Sequence, residues 1–384
     1  MRKVCVVVAS RANYGRVKPV LEAINKHPKL ELQLIVGASM LLERYGKAVD
    51  VVEADGFKPV KKVYYILEGE SLVTQAKSTA LGILELSTAF DELKPDVVIT
   101  VADRFETMAT AIAASYLNIP LAHIQGGEIT GNIDETVRHA ITKLAHYHFP
   151  ATEKSRDRLL KMGEEEWRVL NTGCPSIDTL AEQSLDLHTD EYEKFIKDTG
   201  SGCEVDITAP YILITQHPVT TEVNEGYEQI RNTLTALKDF PQQKFVLWPN
   251  IDAGNDKVSN GIRSFREKHR DLSYHYYTNF PPEIYNTLLA NASCVVGNSS
   301  SFIRECSWLG TPAVIVGNRQ EGREHGSNVI HVGYDSQKIR DAVAAQIKHG
   351  KYPSETIFGK GIAGKLIADY LADVKLEINK RMTY

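Results

Sequence analysis

The chain has few of the features that mark several protein classes, and each shortage excludes something. It contains five cysteines, Cys5, Cys174, Cys203, Cys294 and Cys306, an odd number without any CxxC spacing. That excludes a disulfide framework and a cysteine-based zinc site or redox pair, and it predicts a reduced, cytoplasmic setting. No apolar run approaches the roughly 18 residues of a membrane-crossing helix. The N-terminal run VCVVVAS is also too short for the core of a secretion signal. Neither sign of charge dominates: 44 Lys and Arg stand against 49 Asp and Glu, a net charge of -5. A nucleic-acid partner is therefore not expected. Neither a Walker A sequence nor GxGxxG is present, which argues against a P-loop NTPase and a dinucleotide dehydrogenase. Repeats of about 20 to 50 residues and low-complexity tracts are missing as well.

What is present is ordinary globular material, 43% hydrophobic and 24% charged over 384 residues, enough for two α/β domains. Apolar runs with strand character alternate with helical stretches: VCVVVAS, LELQLIVGAS, DVVITVAD and IPLAHIQ in the first half, with helices at about 15–27 and in LLERYGKAVDVVEA. A second series follows NTGCPS: PYILITQHPV, KFVLWPN, LSYHYYT, CVVGNSS, PAVIVGN and NVIHVG. LDLHTDEYEKF reads as an early helix of that half. Alternation of this kind implies βαβ units and parallel sheets, hence two Rossmann-like, doubly wound domains in tandem. The expected boundaries are 1–172 and 173–355, with an amphipathic helix over 356–384 returning to the first domain.

Ionisable chemistry concentrates at one strand-to-helix junction, HIQGGEITGNIDETVRHAITKLAHYH, residues 123–148. GGEITGN is a loop that glycine allows to turn tightly. From Asp134 the spacing turns helical. Glu135, Arg138, His139, Thr142, Lys143 and His146 form one polar stripe, and Val137, Ile141, Leu144 and His148 another face, so that one side packs and the other presents charge. The stripe follows the carboxyl end of a strand, where open α/β sheets bind ligands.

GNSSSFIRE, residues 297–305, is the second motif: a buried strand, then Gly, Asn and three serines, then a helix start. Ser299, Ser300 and the backbone N–H groups there suit an anion such as phosphate, and Glu305 suits ribose hydroxyls. Arg319 and Arg323 in NRQEGREHG, and Arg11 and Lys18 in SRANYGRVK, offer further positive charge near strand ends. Asp103, Arg104 and Glu106 in VADRFE, His217 in TQHPVTTE, and Asn250 and Asp252 in WPNIDAG also follow strands. Convergence of several strand ends predicts a shared site.

Taken together, SRANYG, ADRFE, GGEITGNIDETVRHAITKLAHYH, TGCPSID, QHPVTTE, PNIDAG, GNSSSFIRE and NRQEGREHG resemble the UDP-N-acetylglucosamine 2-epimerase family, in its hydrolysing branch, nearly from end to end. The resemblance implies a glycosyltransferase-B-like pair of domains with the nucleotide sugar in the cleft between them. It also implies elimination of UDP followed by addition of water, yielding N-acetylmannosamine for sialic-acid-type sugars. No metal or nicotinamide cofactor is required by such chemistry, and a homodimer or homotetramer through the N-terminal domain is expected. Carried over by motif, Asp103, Glu128, Asp134 and Glu135 are acid/base candidates, without a division of roles among them. His217 would polarise phosphate or relay a proton, and Ser299, Ser300 and Glu305 would contact phosphate and ribose. Arg11, Lys18, Arg319 and Arg323 would neutralise charge, while Arg138 and His139 would orient carboxylates.

The chain departs from the family pattern at four places. Gln125 stands where many members carry an acid/base Glu; either Glu128 or Asp134 takes that role, or Gln125 holds substrate or water. Met40 replaces a His, Ala102 a glycine before Asp103, and Phe302 a glycine in the phosphate loop, where it is expected to crowd the ligand. Loss of polarity at Met40 and Phe302 would suit a 2,4-diacetamido-2,4,6-trideoxy nucleotide sugar, on UDP or GDP, as one alternative; a non-hydrolysing UDP-N-acetylglucosamine 2-epimerase is the other.

Overall fold

The computed structural model describes every residue except Glu70, Gly131, Asn132, Ile251 and Tyr384. The chain forms two compact units, one of Met1–Glu128, Ile133–Glu182 and Phe358–Tyr384, the other of Ile129–Asn132 and Gln183–Ile357.

In the first unit, β1 (Arg2–Val8), β2 (Leu30–Gly37), β3 (Lys61–Val63), β4 (Val97–Val101), β5 (Leu121–Ile124) and β6 (Tyr147–Phe149) form one sheet in the order β3-β2-β1-β4-β5-β6. Every pairing is parallel. The continuous valine run of β1 is explained by burial on both faces. Val4, Val6 and Val8 meet Val17, Val20, Leu21 and Ile24 of the helix Arg11–Lys26. The alternate residues Cys5 and Val7 meet Leu86 and Phe90 of the helix Leu72–Leu93 and Ala109 and Ala113 of the helix Phe105–Tyr116. After β3 the chain returns to the other side of β1, so the winding reverses between β1 and β4. In such sheets the reversal opens a crevice at the strands' carboxyl ends.

The second unit repeats the plan. β7 (Ser201–Gly202), β8 (Tyr211–Thr215), β9 (Gln243–Leu247), β10 (Tyr274–Tyr277), β11 (Cys294–Gly297), β12 (Ala313–Val316) and β13 (Val329–Val332) lie in the order β13-β12-β11-β8-β9-β10-β7. Only the two-residue edge strand β7 pairs antiparallel among the described strands. The reversal here falls between β8 and β11. Both units are thus doubly wound, as the strand–helix alternation predicts, and LDLHTDEYEKF supplies the helix Asp190–Asp198.

Three local expectations are corrected. LLERYGKAVDVVEA is not one helix. It forms two short 3-10 turns, Ala38–Leu41 and Glu43–Tyr45, and then the helix Val49–Ala54, because Gly46 turns the chain at φ +80°. The helix after GGEITGN spans Ile133–Leu144, so His146 and His148 do not belong to it; His148 is in β6. Its polar stripe does not wholly present charge outward either, since Arg138 and Thr142 are fully buried.

The terminal helix is Ala363–Asp373 only, and the rest of the expected helix is an extended strap. Val374 and Leu376 pack against the first core in a period of two, which favours extended backbone over helix. Asp178 anchors the start of the helix, accepting from the N–H groups of Ala363 and Gly364 at 2.9 and 2.7 Å. Gly364 permits a close crossing, because a Cβ there would stand 2.5 Å from the Pro19 carbonyl oxygen.

Buried polar groups hold the strap. Arg168 donates to the carbonyls of Glu377 at 3.2 Å and Asn379 at 2.8 Å, and His146 Nε2 to that of Ile378 at 2.9 Å. Lys380 donates to the carbonyls of Thr142 and Ala145 at 2.9 and 2.7 Å. Its ammonium therefore satisfies orphan groups at the end of the Ile133–Leu144 helix, the end that favours a cation. Lys380 also meets Glu164 at 2.6 Å, and His148 Nε2 lies 2.9 Å from the same carboxylate oxygen.

Arg168→Ala should release residues 377–380, raising their amide exchange, and lower stability by about 2 to 4 kcal/mol through lost charge-assisted hydrogen bonds. Urea denaturation with hydrogen-exchange mass spectrometry checks this; unchanged exchange in the strap would remove Arg168 from its anchorage.

Acid should weaken the first unit. Burial pushes His123 down to about 3 and His146 down to about 4. For Glu164, burial raises the pKa, but the His148 hydrogen bond and charge and Lys380 outweigh it and hold the carboxyl at about 2. All three folded values lie below the unfolded ones, so the unfolded chain binds more protons. The histidine contribution is complete above about 6.5 and is lost toward pH 3, and the Glu164 contribution is lost below about 4.5. Urea midpoints should fall steadily from pH 7 to pH 4, with a shallower slope in His146→Asn.

Candidate active site

After β4 and β5, Asp103 and the backbone of Glu128 are brought together by Arg138. β4 is followed by Ala102, whose φ of +63° is left-handed and disfavoured by about 1 kcal/mol or more for a residue with a Cβ. His123 Nε2 lies 2.8 Å from the Ala102 carbonyl, which can only accept, so that nitrogen carries the proton. Nδ1 then accepts from the Thr142 hydroxyl at 3.4 Å. This neutral imidazole holds the turn from which Asp103 projects.

Arg138 grips Asp103 itself. Its guanidinium is fully buried on the Ile133–Leu144 helix and donates through one nitrogen to Asp103 Oδ2 and through another to the Glu128 carbonyl at 2.8 Å. One cation thus positions Asp103 and the backbone of Glu128. Gly127, next to it, has φ +77°, and a Cβ would lie 2.3 Å from the Ser155 carbonyl oxygen, so only glycine fits. Arg158 holds the Gly127 carbonyl at 2.9 Å. Residues 131 and 132 of this loop lie outside the described residues. Asp134 and Glu135 stand in the first turn of the helix, and His139 Nε2 is 3.5 Å from Glu135. Burial, with the charge of Arg138 next, pushes the His139 pKa down.

Other predicted groups are engaged elsewhere. Arg104 and Glu106 pair with each other at 3.1 Å, with Glu106 fully buried, and so brace the helix start. Gln125, also at φ +63° and buried, donates Nε2 to Cys174 Sγ at 2.7 Å. Arg11 opens the helix after β1, but Lys18, two turns on, forms a 3.0 Å ion pair with Asp55. Met40 and Phe302 are both fully buried, Met40 within the first core. Neither lines an open site, so Phe302 does not crowd a ligand, and the argument from these two residues for a deoxy sugar falls.

In the second unit the ends of β8 and β11 are joined side chain to backbone. Asn298, fully buried, accepts from the His217 N–H at 2.7 Å and donates to the His217 carbonyl at 2.9 Å. His217 Nδ1 accepts from the Asn250 N–H at 3.2 Å, which puts the ring proton of a neutral His217 on Nε2. Gly297, at φ +136°, is required because a Cβ would stand 2.1 Å from the Thr215 carbonyl oxygen.

The serines do not open a long helix. They form the 3-10 turn Ser300–Phe302, followed by the short helix Arg304–Leu309. Ser299 caps the turn, and Ser300 accepts from the buried Arg304 at 2.9 Å. Glu305, nearly buried, follows Arg304 directly.

Arg319 lies 3.7 Å from Asp252 and 3.3 Å from the Asn298 carbonyl, and Arg323 donates to Gln320 at 2.6 Å. These arginines brace the loop as well as charging it. Sequence reasoning passed over His123, Arg158, Asn298 and Arg304. The Asn in GNSSS and the Arg before Glu305 were the available signals; nothing in the local pattern marks Arg158.

Comparison with known proteins bears on this arrangement. A family model described as UDP-N-acetylglucosamine 2-epimerase matches residues 22–372. The chain is 30% identical over 361 residues to UDP-N-acetylglucosamine 2-epimerase of Neisseria meningitidis serogroup B, covering 94% of this chain and 92% of that one. It is 32% identical over 387 residues to UDP-N,N'-diacetylbacillosamine 2-epimerase (hydrolyzing) of Legionella pneumophila, over the full length of both. In fold it is similar to the crystal structure of UDP-GlcNAc 2-epimerase from Neisseria meningitidis bound to UDP-GlcNAc, with TM-score 0.78 and 22% identity, covering 96% of this chain and 99% of that one. With the family model spanning most of its length, this chain belongs to the UDP-N-acetylglucosamine 2-epimerase family.

Proposed function

We propose that the protein is a hydrolysing UDP-N-acetylglucosamine 2-epimerase, turning UDP-GlcNAc and water into N-acetylmannosamine and UDP for sialic-acid-type sugars. The observation that carries this is the pairing of family membership with a carboxylate, Asp103, held by the buried Arg138 beside the Glu128 backbone. Removal of a weakly acidic C2 proton needs a base of fixed position, and loss of UDP needs groups that stabilise a departing phosphate oxygen. Asp103, Glu128, Asp134 and Glu135 are the acid/base candidates of the first unit. In the second, His217, with its proton on Nε2, serves the leaving phosphate; Ser299 and Ser300 hold the phosphates and Glu305 the ribose. Arg138 and His139 orient carboxylates, and Arg11, Arg319 and Arg323 supply positive charge, with Asn250 and Asp252 shaping the loop beside His217. Lys18 and Gln125 act through the fold, since Asp55 and Cys174 engage them.

A second reading keeps this chemistry on a UDP- or GDP-2,4-diacetamido-2,4,6-trideoxyhexose. It is favoured by the full-length likeness to the Legionella enzyme named for diacetylbacillosamine. The protein works in the cytoplasm: its five cysteines are free and no helix among the described residues is long and apolar enough to cross a membrane.

A proton NMR time course with UDP-GlcNAc in D2O decides between the readings. Free N-acetylmannosamine with deuterium at C2, together with UDP, is the expected outcome. UDP-N-acetylmannosamine would instead mean a non-hydrolysing enzyme, and turnover only of the diacetamido nucleotide sugar would establish the second reading. Asp103→Asn and His217→Ala should each lower kcat by about 10²- to 10⁴-fold while UDP still binds.

The protein is also proposed to self-associate through its first unit, where the helix Leu72–Leu93 exposes Leu72, Val73 and Leu84 and Tyr116 lies exposed at the end of the neighbouring helix. Leu84→Glu should convert a dimer or tetramer to smaller species in light scattering; a monomeric parent protein would refute this.

A further inference from the structure

Behind the serine turn lies a chain of hydroxyls to which the proposed chemistry gives no role. Tyr285, on the helix Pro282–Asn291, has its hydroxyl 2.7 Å from Ser301 Oγ, and Ser301 Oγ is 2.8 Å from Ser299 Oγ. Ser299 Oγ additionally accepts from the Ser301 backbone N–H at 3.4 Å. Ser299 and Ser301 retain 8% and 9% exposure, and Tyr285 is partly exposed.

Distances alone leave the direction of the protons open, but acidity sets it. A phenol is a far stronger acid than an aliphatic alcohol and is the better donor. Burial raises the Tyr285 pKa further, to about 12, so the phenol keeps its proton at neutral pH. Tyr285 therefore donates to Ser301, and Ser301 to Ser299. Ser299 Oγ then accepts twice, from the Ser301 hydroxyl and from the Ser301 N–H, which occupies both lone pairs. What remains to Ser299 is donation.

We propose that Tyr285 and Ser301 are positioning residues that fix Ser299 as an obligate hydrogen-bond donor, so that this loop selects ligand oxygens that only accept, those of a deprotonated nucleoside diphosphate. The inference rests on the reading that the second unit binds the nucleotide, and it deepens that reading by adding two residues and a direction of donation. A serine turn without this chain could rotate its hydroxyls to meet donors and acceptors alike. Here the loop discriminates by polarity as well as by shape.

The test measures binding of UDP and inorganic pyrophosphate by calorimetry, and of uridine by ligand-observed NMR. The full-length protein is compared with Tyr285→Phe, Ser301→Ala and the double variant. Each single variant should bind UDP and pyrophosphate about threefold to tenfold more weakly, the range for one hydrogen bond between neutral groups, and uridine as before. Because both residues act through one chain, Tyr285→Phe should add no further loss in the Ser301→Ala background. A merely structural role would weaken uridine equally and add in the double variant, and that result, or wild-type UDP affinity in both single variants, overturns the proposal. If the unmodified protein binds neither UDP nor pyrophosphate, the nucleotide reading itself fails, and this one with it.

Discussion

A guanidinium with no access to water has to be met by an anion, because leaving it unpaired would cost several kcal/mol. Arg138 is in that position, and Asp103 meets it. The consequences spread from this one pair. The helix Ile133–Leu144 cannot rotate without uncovering the charge, so its first turn, with Asp134 and Glu135, is fixed relative to Asp103. The second guanidinium nitrogen fixes the Glu128 carbonyl. The same requirement explains why a left-handed residue follows β4 although it is alanine: Asp103 has to leave the strand end at that angle, and His123 holds the turn in place. At the far end of the helix Lys380 satisfies the last carbonyls. Asp134 and Glu135 thus sit on an element pinned from within its face and at its end, the preorganisation that proton transfer demands.

The second unit reaches order by another route. Charge pairing is secondary there, and backbone geometry leads. Asn298 ties β11 to β8 through both polar groups of the His217 peptide, and a glycine lets the two strand ends approach. Hydroxyls and amides then remain at the surface of a turn rather than at the head of a long helix. Such a surface suits a ligand that brings its own negative charge, whereas the first unit supplies its own.

Much of this was legible in the amino-acid sequence. The valine runs of β1 and β4 announced buried parallel strands because burial on both faces leaves no room for polar alternation. Asp103, Glu128, His217 and the serines were visible because they follow such runs directly. What could not be seen was which polar residue would turn inward. Arg138 and Lys143 occupy the same helical stripe, yet one is fully buried and the other half-exposed. The difference lies in Asp103, 35 positions earlier. Lys18 offered a charge at the right distance from a strand end, and its ion pair with Asp55 could not be seen in the sequence. Met40 and Phe302 read as substitutions in a ligand site, and they proved to be core residues. The strap was misread as helix because its alternation of Val374, Leu376 and Ile378 follows directly on a helical pattern.

The strap also sets an order of events for a nascent chain. His146 and Ile378 are 232 positions apart, yet their hydrogen bond belongs to the wall of the first unit. Domains generally fold as they emerge from the ribosome, but this one has to wait, with the imidazole of His146 and the guanidinium of Arg168 lacking their carbonyl partners, until the second unit has been translated. The protein therefore couples completion of its first unit to synthesis of its second, and a chain interrupted between the two leaves the first unit's wall unfinished.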